Sequence, residues 1–142
     1  MKKHSFLIFI LTVLFFSCGK DESPREHRFL DKVIITEAKL TGWDVLSNPD
    51  MMLSYRDGLV DSTSLSGQSE VIDEVVFLPV TFEDIPFELT DFMDFRVLDV
   101  DEFAADDIMF QRQINPYALS EKGNPFLLSS SDWKIKIYWK TY

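Results

Sequence analysis

A single cysteine, Cys18, stands in a chain of 142 residues, which excludes a disulfide framework and a thiolate zinc cluster. Histidine is nearly as scarce: His4 falls in the N-terminal apolar segment and His27 in the polar stretch that follows it. Histidine-based acid–base or nucleophilic catalysis is therefore close to excluded. The five glycines are scattered, so no loop can cradle phosphate, and there is no Gly-x-Ser-x-Gly elbow. Positive charge is short as well, with 14 Lys and Arg against 24 Asp and Glu and a net charge of -10. A chain this acidic repels a phosphate backbone, so nucleic acid is not an expected partner. The longest apolar run, Phe6 to Phe16, falls short of the roughly 20 residues that span a bilayer.

What is present points to a packed globule. Hydrophobic residues make up 46% of the chain and aromatics 14%, a composition that does not suit a disordered acidic tail. The length allows one domain and is short for two.

The N-terminus carries an address. Lys2-Lys3-His4 is a positive start, the apolar run follows, and Phe15-Phe16-Ser17-Cys18 closes it. This segment resembles the lipobox of bacterial lipoproteins, in which a small residue precedes a cysteine that is acylated and becomes the new N-terminus. Phe15 stands where leucine is usual. Gly19-Lys20-Asp21-Glu22-Ser23 is similar to the lysine-then-acid signal with which one Gram-negative phylum exports lipoproteins to the outer face of its outer membrane. The resemblance implies a signal peptide over residues 1–17 and lipidation of Cys18. It also implies an outer-membrane location facing the cell exterior, with the membrane itself as a partner through the anchor. Several acyl chains on one residue make such an anchor stable. Residues 18–28, polar and containing Pro24, read as a flexible tether, and residues 29–142 as the domain.

Within the domain the dominant period is two. Trp133, Ile135, Ile137 and Trp139 alternate with Lys134, Lys136, Tyr138 and Lys140, and this basic stripe reads as the wet face of an edge strand. Met93, Phe95 and Val97 alternate with Asp94 and Arg96. Further strands are expected over Val33 to Leu40, Met51 to Tyr55, Ile108 to Ile114 and, more weakly, Phe87 to Leu89. A tight hairpin at Arg56-Asp57-Gly58 should follow the second of these. Val71 to Phe82 reads as one long strand, with Pro79 marking an edge or a bulge. The competing helical reading is Glu102 to Gln113, where Ala104, Ala105 and Ile108 share a face. Strands at this spacing, separated by polar turns, predict an all-β fold, an antiparallel sandwich.

The aspartates fall at the ends of expected strands. Asp44-x5-Asp50 lies past the first, and Asp99-x-Asp101-x5-Asp107 past another. Two such loops at one end of a sandwich would gather five carboxylates, an arrangement that calls for a cation. Oxygen-only ligands suit calcium and not zinc. An EF-hand does not fit, because a loop begun at Asp99 has Ala104 at the turn-glycine place and Phe110 at the glutamate place.

The run Val97-Leu98-Asp99-Val100-Asp101-Glu102-Phe103, followed by Ala104-Ala105-Asp106-Asp107-Ile108, resembles the third calcium loop of the C-two domain family, the β-sandwich of synaptotagmins and protein kinase C. The resemblance implies an eight-stranded Greek-key sandwich that binds one or two Ca²⁺. Asp99, Asp101 and Asp107 would be ligands from loop three, and Asp44 and Asp50 from loop one. The pattern departs from the family at Pro49-Asp50-Met51, where Asp-Pro-Tyr is usual, and at Ile108-Met109-Phe110, where a glycine is often found. Val45 and Leu46 in loop one and Phe103 in loop three would be apolar docking tips.

The sequence thus reads as a surface-anchored lipoprotein with a calcium-binding recognition or adhesion module, and not as an enzyme. Its partners at the acidic loops would be an anionic lipid, a glycan or an envelope protein. The alternatives are a calcium-independent structural component of a cell-envelope assembly and a carbohydrate-binding accessory lipoprotein. Trp43 and Trp139 would be the stacking residues of the last.

Overall fold

Alternating side chains build two antiparallel sheets in the computed structural model, which describes residues 24–42, 47–57, 66–85, 87–101 and 105–142. Cys18, Trp43, Asp44, Val45, Leu46 and Phe103 lie outside the described residues. In chain order the elements are β1 (Arg28–Glu37), β2 (Met51–Asp57), β3 (Ser66–Gln68), β4 (Val80–Glu83), β5 (Met93–Asp99) and β6 (Asp107–Ile114). A short helix, α1 (Pro116–Ser120), then precedes β7 (Phe126–Ser129) and β8 (Lys134–Thr141). One sheet has the order β4-β1-β8-β7 and the other β3-β2-β5-β6. The fold is the antiparallel sandwich the alternation predicts.

The inward rows meet between the sheets. Val33 and Ile35 of β1, Ile135 and Ile137 of β8, and Phe126 and Leu128 of β7 pack against Leu53 and Tyr55 of β2 and Phe95 and Val97 of β5. A register shift between Leu30 and Lys32 resets the parity of β1, so Leu30 and Val33, three apart, are both buried. An aromatic chain crosses the core: Phe95 meets Phe110 edge-on at 6.4 Å between centroids, and Phe110 lies 5.5 Å from Trp133.

The topology sorts the connections by end. Residues 38–50, 69–79, 100–106 and 130–133 join strands at one end, set by the pairings Met51↔Asp99, Asp99↔Asp107, Ile35↔Val80 and Ser129↔Lys134. The opposite end holds the start of β1 and the end of β8, paired at Arg28↔Thr141. It also holds residues 84–92 and α1, which follow from the pairings Lys32↔Glu83 and Met93↔Ile114.

Several expected elements differ. The strand expected over Val33 to Leu40 opens five residues earlier and ends at Glu37. Val71 to Phe82 is not one strand: Ile72 makes a single bridge to Met51, and regular pairing begins only at Val80. The segment must leave one sheet and join the other, and Glu74 turns there with φ 50°, a conformation no strand residue adopts. Pro79, without an N–H, precedes the edge strand β4, in keeping with the edge reading. Phe87 to Leu89 provides one bridge, Glu88 to Phe29. The helical alternative over 102–113 gives way to β6. The pairing Arg56↔Ser66 makes the β2–β3 connection longer than a tight turn at Arg56-Asp57-Gly58. β8 is an interior strand, flanked by β1 and β7, and not an edge. Two of its lysines are paired outward, Lys134 to Glu37 at 2.6 Å and Lys140 to Asp31 at 2.9 Å. The short elements β3, β7 and α1 were not expected from periodicity. α1 nonetheless has a local signature, with Asn115 accepting the Ala118 N–H at 2.8 Å as N-cap and Pro116 opening the first turn.

Candidate functional site

The end of the sandwich carrying residues 38–50 and 100–106 is where the sequence places its carboxylates. Cross-strand pairing sets Asp99, the last residue of β5, beside Met51 on one side and Asp107 on the other. Asp50, Asp99 and Asp107 therefore occupy neighbouring backbone positions at one end of one sheet. Asp101 follows in the loop, partly buried, and Asp44 lies outside the described residues.

Two of these carboxylates hold the frame. Asp99 is 1% exposed, and its Oδ1 accepts the backbone N–H of Asp50 at 2.9 Å. The Asp50 carbonyl accepts the N–H of Val100 at 2.9 Å, which closes the clasp between β2 and β5. The Asp50 side chain accepts the Glu74 N–H at 2.6 Å. Glu74 in turn accepts Asn48 Nδ2 on its Oε2 at 3.2 Å. The left-handed turn at Glu74 is thus fastened from both sides to residues 48–50. A third connection, residues 69–79, is drawn into the same end by the Val75 N–H donated to the Pro49 carbonyl at 2.9 Å.

Among the described residues no group of three or more His, Cys, Asp or Glu side chains is placed to hold a metal ion. Asp50, Asp99, Asp101 and Asp107 do not by themselves form a calcium cup; a fifth ligand, Asp44, would have to complete it. A direct test separates frame from ligand. Asp99→Ala removes the acceptor from the part-buried Asp50 N–H and is expected to cost about 1 kcal/mol, the usual net contribution of such a hydrogen bond. That loss, read by urea denaturation, should be the same in calcium and in chelator. A loss present only in calcium would make Asp99 a ligand and not a clasp.

The third connection carries an apolar tip that periodicity concealed. Phe77 is 83% exposed and Val76 50%, at the end that also holds Asp50 and Asp107. Both fell inside the expected long strand, so alternation alone assigned them to a sheet. The tips expected at Val45, Leu46 and Phe103 lie outside the described residues. Trp139 is no open sugar platform: Arg28 stacks over it at 4.5 Å, and its Nε1 donates to the Gly123 carbonyl at 3.2 Å.

No family model matches the chain, and no characterised protein matches it in sequence. Among solved structures it is similar in fold to part of human GIVD cytosolic phospholipase A2 in complex with methyl gamma-linolenyl fluorophosphonate. The TM-score is 0.51 at 16% identity, over 82% of this chain and 17% of that one. A second structure of the phospholipase, with the same inhibitor and terbium chloride, gives 0.51 at 15% identity over 82% and 18%. The chain spans under a fifth of that protein's length. The likeness bears on the fold alone, an antiparallel β-sandwich.

Proposed function

We propose that the chain is a lipid-anchored recognition module of the outer-membrane surface, tethered at Cys18 and built on a C-two-like sandwich that contacts its partner through the acidic end. The observation that supports this reading is the strand register that makes Asp50, Asp99 and Asp107 neighbours beside the exposed Phe77 end. Acid and exposed apolar side chains at one end suit a docking surface.

Calcium belongs to the finer form of this proposal. Asp44, Asp101 and Asp107 would supply oxygens to the ion alongside the Asp50–Asp99 clasp, and the ion would offset the repulsion among the carboxylates and bridge to an anionic group on the partner. A second reading is favoured by the buried Asp99 and its bond to the Asp50 N–H: the carboxylates serve as a brace, and contact needs no metal. Thermal unfolding distinguishes the two. A calcium site raises the melting temperature by mass action, equivalent to about 2.7 kcal/mol at a concentration one hundred times Kd. Asp101→Asn should lose that rise, while Asp132→Asn, in the turn between β7 and β8 and outside both acidic loops, should keep it. A melting temperature indifferent to millimolar calcium selects the brace. In either case Phe77→Ser should leave stability unchanged and weaken adhesion to target cells or glycans. Full adhesion by Phe77→Ser would remove the acidic end from the proposal.

A further inference from the structure

The end opposite the acidic loops is where the chain enters the domain, and the entering segment is held down. Arg25 donates from Nη1 and Nη2 to the two carboxylate oxygens of Asp91 at 2.7 and 2.8 Å. Its guanidinium lies 3.4 Å from the centroid of the Tyr117 ring. The planar fork thus meets a planar carboxylate and an aromatic face together, a pairing for which arginine is suited and lysine is not. Hydrogen bonding to Arg25 also holds the Asp91 carboxyl below its ordinary range. Three residues on, Arg28 stacks between Tyr117 and Trp139 at 4.8 and 4.5 Å and donates to Ser120 Oγ at 2.8 Å.

Length decides what this clamp does. Fully extended, the chain from Cys18 to Arg25 spans at most about 25 Å. β1, with 10 residues, runs about 30 Å from this end of the sandwich to the other. An upside-down domain, with its acidic loops on the anchoring membrane, would hold Arg25 farther from the bilayer than the tether reaches. Freed of the Arg25 contacts, the tether extends to Arg28, at most about 36 Å, and inversion becomes sterically possible.

We infer that the Arg25–Asp91–Tyr117 clamp holds the anchored domain with its termini toward the membrane and its acidic end outward, so that this end meets a partner outside the anchoring leaflet. The inference rests on acylation of Cys18 as proposed above. It excludes lipid of the protein's own membrane as the ligand of Phe77 and the acidic loops.

The test uses the full-length protein, purified from membranes and carrying one added cysteine at Phe77→Cys or Lys122→Cys. With Cys18 acylated, the added thiol is the only one free to take a donor dye. The labelled protein is placed in phosphatidylcholine vesicles containing a headgroup-bound acceptor. Energy transfer from position 122, just past α1, should exceed that from position 77 several-fold. Adding Arg25→Ala should raise transfer from position 77 and narrow the ratio. Equal transfer from both positions in the acylated protein, or a ratio that Arg25→Ala leaves unchanged, overturns the inference and leaves the anchor standing. A protein whose mass shows no acyl groups on Cys18 overturns the anchor, and the inference with it.

Discussion

Phe95→Ala is expected to cost about 3–5 kcal/mol, the usual loss for emptying a buried phenylalanine site. Phe95 is fully buried on the interior strand β5. It also begins the aromatic chain that runs through Phe110 to Trp133, and so links one sheet to the turn that starts β8 in the other. Removing its ring leaves a cavity that two rigid sheets can only partly close, and it takes an edge-on partner from Phe110. Against a total stability of about 5–15 kcal/mol for an ordinary domain, that is a large fraction. The melting temperature should fall by roughly 10–25 °C. Leu127→Ala is the matched control. Leu127 lies on β7 beside a core residue, yet it is 62% exposed, and its truncation should change stability by less than about 0.5 kcal/mol. Equal losses at the two positions would mean that the sheets do not face each other as described.

Cys18→Ser is expected to abolish the outer-membrane pool of the protein. Each buried methylene contributes about 0.8 kcal/mol to membrane affinity, so two or more acyl chains hold a protein stably where a single one does not. Serine offers no thioether and no such chains. Whether the leader is then cleaved, releasing the chain, or retained uncleaved in the inner membrane, fractionation should find none in the outer membrane. Substitution within residues 19–23 should spare acylation, and loss of Lys20, Asp21 and Glu22 together should change only the face of the membrane on which the domain is displayed. An unaltered outer-membrane fraction in Cys18→Ser would locate the attachment elsewhere.

Much of the sandwich was legible in the sequence because its central strands alternate over most of their length. Met93 to Val97 and Lys134 to Trp139 each present an alternating apolar row that enters the core. The unread parts are those where alternation does not decide. Val71 to Phe82 is rich in β-formers, yet it has to cross between sheets, and the turn at Glu74 is fixed by a distant carboxylate, Asp50, that no local pattern reveals. Phe77 is exposed for the same reason. β3 and β7 are too short for a period to register. The basic stripe of β8 was legible as a solvent-facing row but not as an interior strand, since only the sheet order places β1 and β7 beside it.

For the acidic end, the sequence located the loops but not the use of each side chain. Asp99 and Asp50 share a spacing with metal ligands and also with strand-end clasps, and the difference lies in whether a backbone N–H is within reach. Here one is, at 2.9 Å from Asp99 and 2.6 Å from Asp50. The Arg25 clamp was illegible altogether, because Asp91 and Tyr117 are far from it in the chain and nothing in a polar tether marks one arginine above its neighbours.

Acyl anchoring at Cys18 is read from the N-terminal peptide of the protein extracted from outer membranes of cells fed labelled palmitate. That peptide should begin at Cys18 and carry the label. A mature N-terminus at any other residue, or an unlabelled Cys18, would contradict it.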